Sequence, residues 1–192
     1  RGFKAKFAEQ YGAVGLIIFT DPADAGFKRG KVYPDGPFYN ETTIQRGSLL
    51  TLDYTGDPLT PFEPALPRDG DKKVKRLDPS EVAFHTIPVS PIGYGAAEEI
   101  LSRMNGESAP ESWQGGLELD YKIDGGSNLE VRLKVEQPID FIRANNVIGT
   151  FKGSTNPDEW IILGSHYDAW SFGATDPNSG TAMMLTLAEA IG

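Results

Sequence analysis

Apolar and polar positions alternate along this chain in several rhythms, and each rhythm predicts a different element. Phe3, Phe7 and Tyr11 recur at every fourth position with Ala8 beside them, and Gly12 follows, which predicts a short amphipathic helix and its stop. Residues 13–20 (AVGLIIFT) are continuous apolar text, read as a buried strand ended by Asp21-Pro22. From Ala23 to Arg76 the periodicity is lost among Gly, Pro and Asp. Within that stretch Leu49, Leu50 and Leu52 read as a short strand between turns at Gly47 and Gly56, and residues 68–76 (RDGDKKVKR) as a solvated loop. IPVSPIGY (87–94) is extended and leads into a helix with one apolar face (Tyr94, Ala97, Ile100, Leu101, Met104), stopped by Asn105-Gly106. Leu117, Leu119, Tyr121 and Ile123 alternate with polar residues, as do Val131, Leu133 and Val135. With DGGSN (124–128) between them they predict a hairpin of two half-buried strands. Past a change of character around Pro138 to Phe141, NVIGTFKG (146–153) and WIILGSH (160–166) read as two sheet strands joined by STNPDE.

The richest stretch runs from Ile161 to Gly180 (IILGSHYDAWSFGATDPNSG). It predicts a strand, a polar loop carrying His166, Asp168 and Asp176, and then a helix, TAMMLTLAEAI, apolar on nearly every side and therefore buried. Ligands gather at the carboxyl ends of strands in open α/β sheets, where such loops converge. Imidazole and carboxylate are ligands that zinc accepts. Positions i and i+2 of extended chain point the same way, so Asp168 can lie beside His166 and hold its second ring nitrogen. Asp176 has two oxygens, enough to bridge two metals roughly 3.5–4 Å apart. On residue types alone, a metal site and a plain hydrogen-bonded loop both remain open.

Composition narrows the classes. The 192 residues suffice for one large or two small domains, and 22 Gly with 14 Pro describe a loop-rich globular chain. A net charge of -9 argues against nucleic acid, which selects basic faces. With no cysteine there is no disulfide, and the redox compartment stays open. No run approaches the roughly 18 apolar residues of a membrane span, and no signal peptide opens the chain. Asn40-Glu41-Thr42 is a glycosylation sequon by pattern.

GSHYDAWSFGATDPNSG resembles the first metal-binding loop of the M28 zinc peptidases, in the branch of glutamate carboxypeptidase II and the transferrin receptor. DPAD (21–24), YPDG (33–36), QRG (45–47), GDPLTP (56–61), IPVSPIGY and NVIGTFKG resemble, in order, that branch's protease-associated or apical domain and its exit into the peptidase domain. The resemblance implies an α/β fold: an α+β apical domain over 1–140 joined to the first strands and helix of a mixed-sheet zinc peptidase domain over 141–192. It also implies a fragment, truncated at both ends and inactive alone, with the general base and the remaining ligands downstream.

Carried over by position, the resemblance implies His166 as a terminal zinc ligand, Asp176 as the bridging carboxylate of two zinc ions, and Asp168 as the acid supporting the histidine. Arg1, in RGFK, matches an arginine that clamps the substrate's terminal carboxylate. Ser48 stands where glutamate-selective members carry asparagine, which puts glutamate selectivity in doubt. Thr60 and Glu63 match carbonyls that hold calcium in some relatives. His85 matches no functional histidine and reads as structural. The implied function is a carboxypeptidase acting on acidic peptides, with an aminopeptidase, or a non-catalytic receptor-like binding protein, as alternatives. A free-standing peptide-binding module is disfavoured by the peptidase text after residue 146. A peptide substrate and a homodimer of the parent are the implied partners, and the implied location is extracellular, periplasmic or a membrane-anchored ectodomain. Since related peptidases carry a cis peptide just after this aspartate, and X–Pro bonds adopt cis at only about 0.5–1 kcal/mol, Asp176-Pro177 is expected to be cis.

Overall fold

The computed structural model describes residues 2–138, 140 and 142–192. It divides into two compact units, Arg1–Gln137 and Pro138–Gly192. The Arg1 assignment lies outside the described residues.

In the first unit the four-residue rhythm forms α1 (Gly2–Gln10), and Gly12 stops it with φ 87°, a left-handed value that glycine takes without a Cβ clash. The buried face is not the one expected. Phe3, Phe7 and Tyr11 are 63%, 50% and 87% exposed, whereas Ala5 is fully buried. The small side of α1 is pressed against residues 49–51, so closely that a Cβ on Gly2 would meet Thr51 Cγ2 at 2.8 Å. Leu49, Leu50 and Leu52 accordingly form no strand but lie as irregular chain along the helix, where Lys6 pairs with Asp53 at 3.1 Å.

The apolar run 13–20 condenses to β1 (Leu16–Ile18), half-buried rather than buried. Its continuation is a one-turn helix, α2 (Pro22–Ala25), where apolar periodicity gives no helical signal. Asp21 caps it, accepting from Ala23 N at 2.8 Å, and Pro22 occupies the first turn, where its missing N–H costs nothing. A small antiparallel pair follows, β2 (Gly56–Asp57) with β3 (Thr60–Pro61). The segment expected to be extended forms β4 (Val89–Pro91), parallel to β1 with Leu16 opposite Val89 and Ile18 opposite Pro91. It runs into α3 (Tyr94–Leu101), whose Tyr94 and Ala97 enter the core as expected, with Val82 and Leu117 also buried. Phe27 meets Tyr94 edge-on at 5.8 Å. Gly93 caps α3 where a Cβ would lie 2.3 Å from the Glu41 carbonyl, so only glycine lets the loop at residue 41 dock there.

The hairpin over 117–135 is corrected. Leu117, Leu119 and Tyr121 do turn inward, yet they pair with the chain after α3. Ala109 N donates to Tyr121 O at 2.7 Å, Ile123 N to Glu107 O at 2.9 Å, and Ser108 bridges Lys122. Val131 and Val135 stay 50% and 42% exposed. Alternation told which side chains share a face; it could not tell which segment supplies the partner backbone.

Three surface carboxylates of this unit are held below their ordinary values by hydrogen bonds. Glu9 is lowered first by the Thr86 hydroxyl, Asp78 by the Ser80 hydroxyl, and Asp120 by Lys122 and then Ser108. A folded pKa below the unfolded one means stability that is complete above the ordinary values, 4.5 for Glu and 3.8 for Asp, and lost as pH falls through the lower folded values. Urea midpoints should therefore fall between pH 5 and pH 3, and fall less in Glu9→Gln; an equal acid loss in that variant would remove Glu9 from the account.

The second unit contains α4 (Asn178–Ile191), starting three residues ahead of the expected segment TAMMLTLAEAI and closed by Gly192, whose N–H donates to Ala188 O. Two expectations are corrected here. Residues 146–153 and 160–166 form no strands among the described residues, and Ile161 and Ile162 are 91% and 83% exposed. A strand needs a neighbouring backbone to satisfy its N–H and C=O groups, and the described residues of this unit form no ladder beside them. Nor is α4 buried: Met183 and Leu185 are 60% and 68% exposed. No helix of the described residues is long and apolar enough to cross a membrane. The mixed α/β class is borne out.

Candidate functional site

The polar loop between residue 164 and α4 is built from local devices. Gly173 has φ 70° and sits where a Cβ would come within 2.8 Å of Ala169 Cβ, so the chain doubles back tightly there. Asn178 N then donates to Gly173 O at 3.1 Å and Ser179 N to Thr175 O at 3.0 Å, which starts α4 directly behind Asp176. The Asp176–Pro177 bond is cis, as expected. From the first turn of α4, Thr181 Oγ1 donates to the His166 carbonyl at 3.0 Å, and Ser165 Oγ donates to the same oxygen at 3.2 Å. Gly180 lets the helix approach, since a Cβ there would lie 2.4 Å from Ser165 Oγ. Sequence reading missed Thr181 and Ser165 as anchors of the histidine. Hydroxyls flanking an apolar helix carry no signal until the turn is closed.

These devices bring His166, Asp168 and Asp176 together. Nδ1 of His166 lies 3.0 Å from the Asp168 carbonyl and 3.2 Å from Asp168 Oδ1, while Nε2 lies 2.8 Å from Asp176 Oδ1. The imidazole is thus held between two carboxylates, in the i, i+2 relation anticipated for Asp168. Its pKa is raised above 6.5, chiefly by the Asp168 side chain and then by the Asp168 carbonyl and by Asp176, against a lowering from partial burial. All three side chains are open to solvent, His166 at 53% and both aspartates at 85%.

The donor types fit a zinc ion: one imidazole nitrogen oriented through its other nitrogen, and one carboxylate facing it. The described residues contain no group of three or more His, Asp or Glu placed to hold a metal ion, so the loop provides a partial set. Ser48 is exposed, its Oγ accepting from Leu50 N at 3.2 Å. Thr60 is buried, with its hydroxyl lacking a partner, and its carbonyl accepts from Glu63 N at 3.2 Å. His85 is half-buried and lies near Glu9.

Comparison with known proteins agrees with this geometry. Residues 146–192, which contain the whole loop and α4, match the family described as Peptidase family M28. Over its full length the chain is 38% identical to "Aminopeptidase NAALADL1" of Rattus norvegicus, covering 100% of this chain and 26% of that protein. It is 37% identical to "Glutamate carboxypeptidase 2 homolog" of Caenorhabditis elegans, again over 100% of this chain and 26% of the relative. "Probable glutamate carboxypeptidase VP8" of Zea mays is 34% identical, over 100% of this chain and 24% of its own length. The chain spans about a quarter of the length of the curated relatives it matches. The proteins this chain is similar to are named as peptidases. Within that group, residues 146–192 carry the match to family M28, as the resemblance of the motifs there implied.

Proposed function

We propose that the chain is part of a zinc-dependent exopeptidase of the glutamate carboxypeptidase type, hydrolysing acidic peptides with a free terminal carboxylate. The observation that carries this reading is the clamp on His166. Asp168 holds Nδ1, which leaves Nε2 facing the Asp176 carboxylate at 2.8 Å, one nitrogen and one oxygen donor side by side. His166 and Asp176 would hold the zinc. Bound zinc supplies a polarised carbonyl and a water of lowered pKa. The chain's own residues orient the ligands: Asp168 fixes the tautomer, and Thr181 and Ser165 fix the backbone that carries the ring. His166 offers Nε2 as a ligand only after giving up the proton it shares with Asp176, so loading favours the alkaline side of its raised pKa.

Residues 1–140 are read as the apical protease-associated domain, with 141–192 as the start of the peptidase domain. Arg1 would meet the substrate carboxylate through its planar donors, with Ser48 beside the same group. Calcium at the Thr60 and Glu63 carbonyls rests on two oxygens of a shell that needs six to eight. The parent would act on peptide outside the cytosol, as an extracellular, periplasmic or membrane-anchored ectodomain, and as a homodimer. An aminopeptidase is the second reading, favoured by the 38% identity to a relative of that name.

The test is turnover by the full-length protein of an acidic dipeptide, its carboxyl-amidated analogue and an aminoacyl anilide, with and without a chelator. Chelator-sensitive cleavage of the free acid is the expected result; cleavage of the anilide alone would make the parent an aminopeptidase. Arg1→Ala should raise KM for the free acid far more than for the amide. Equal effects on both would leave Arg1 as scaffold.

A further inference from the structure

We propose that Asn40 is an N-glycan acceptor. Asn40-Glu41-Thr42 is the one Asn-X-Ser/Thr triplet in the sequence, and its middle residue is not proline. The structure puts it in an ordered surface turn, with Glu41 and Thr42 exposed and Asn40 half-buried. Asn40 Oδ1 accepts from Thr42 N at 3.2 Å, from Thr42 Oγ1 at 3.0 Å and from Thr43 Oγ1 at 2.7 Å. Those three donors fix the side-chain amide through its oxygen and leave the nitrogen as the chemically available end.

The hydrogen-bond inventory then decides whether the folded loop tolerates a sugar. A primary carboxamide has two N–H donors. Here Nδ2 makes one contact, donating to the Tyr33 carbonyl at 3.4 Å. Glycosylation forms a bond from Nδ2 to the anomeric carbon of a lipid-diphosphate-linked oligosaccharide. The bond from that carbon to the diphosphate oxygen breaks, the lipid diphosphate leaves with the electron pair, and one amide proton passes to solvent. The product keeps one N–H, enough for Tyr33, and all three acceptances at Oδ1 survive. The turn is also anchored independently of the side chain, by Gly95 N donating to Glu41 O at 3.0 Å and Thr43 N to Asn40 O at 3.1 Å. A glycan at Asn40 thus removes no contact that holds the turn. The proposal rests on the location outside the cytosol put forward with the peptidase reading, and neither His166 nor the substrate enters it.

The experiment takes the full-length protein from its own cells, digests it, and follows the Asn40-bearing peptide by mass spectrometry before and after peptide N-glycosidase in heavy-oxygen water. The expected result is a peptide that appears bare only after treatment, with Asn40 converted to aspartate carrying the heavy oxygen. Thr42→Ala, which leaves Asn40 in place, should lose one glycan mass, and Thr42→Ser should retain it. An untreated digest in which bare, unconverted Asn40 is the main species would overturn the proposal, as would a glycan mass that persists in Thr42→Ala.

Discussion

His166→Ala in the full-length protein should abolish hydrolysis and lower the bound zinc, the largest functional effect expected of any residue in this chain. The imidazole is the only nitrogen donor of the loop, and its removal leaves Asp176 facing empty space where Nε2 stood at 2.8 Å. Asp168→Asn should act through orientation instead. Its Oδ1 sits 3.2 Å from Nδ1, and an amide there can donate as well as accept, so the ring is no longer held to one tautomer. Changes of that outer kind typically cost about 10–100-fold in metal affinity or activity. The two variants therefore separate by metal content: nearly absent in His166→Ala, reduced but titratable with added zinc in Asp168→Asn. Wild-type turnover and zinc content in both would end the ligand assignment.

The largest stability effect should come from Asp21→Ala. One carboxylate here serves three partners from two distant stretches. Oδ1 accepts from Ala23 N at 2.8 Å, capping α2, and from Gly116 N at 2.7 Å, while Oδ2 takes the Tyr121 hydroxyl. Tyr121 in turn accepts from Leu117 N at 3.2 Å, which links the network to a buried core residue. Burial and then the Asp21 hydrogen bond push the Tyr121 hydroxyl well above its ordinary value, so it remains a donor throughout the working pH range. Losing the cap costs about 0.5–2 kcal/mol, and each part-buried donor left unpaired roughly 1–3 kcal/mol more. A total on the order of 3–5 kcal/mol should appear as a fall in the urea midpoint of this unit at unchanged slope. Tyr121→Phe should lose about 1–2 kcal/mol, since it leaves Asp21 with its two backbone donors. A midpoint within error of wild type in Asp21→Ala would show that the network has no net worth.

The candidate site was legible in outline and not in detail. His166, Asp168 and Asp176 could be named from residue type and spacing because their geometry is made locally, within eleven positions and one turn. The second carboxylate contact of the ring and the hydroxyl anchors on its carbonyl depend on how the loop returns to α4, and no spacing announces that. Arg1 could be singled out only through resemblance to a family.

Elements whose hydrogen bonds close within a few residues follow from local sequence. These are α1 with its Gly12 stop, α3 with Tyr94 and Ala97 inward, α4, and the tight loop before it. Tertiary structure alone decided the faces and the partners. Phe3, Phe7 and Tyr11 share a stripe, yet the small side of α1 is buried, because a close approach to residues 49–51 requires Gly2 and Ala5 rather than rings. Residues 117–123 alternate as a strand should, yet pair with 105–109 and not with 131–135. The run 160–163 is strand-like text without a neighbouring strand in its own unit. Periodicity records which side chains lie together. Only packing between distant segments settles what they lie against.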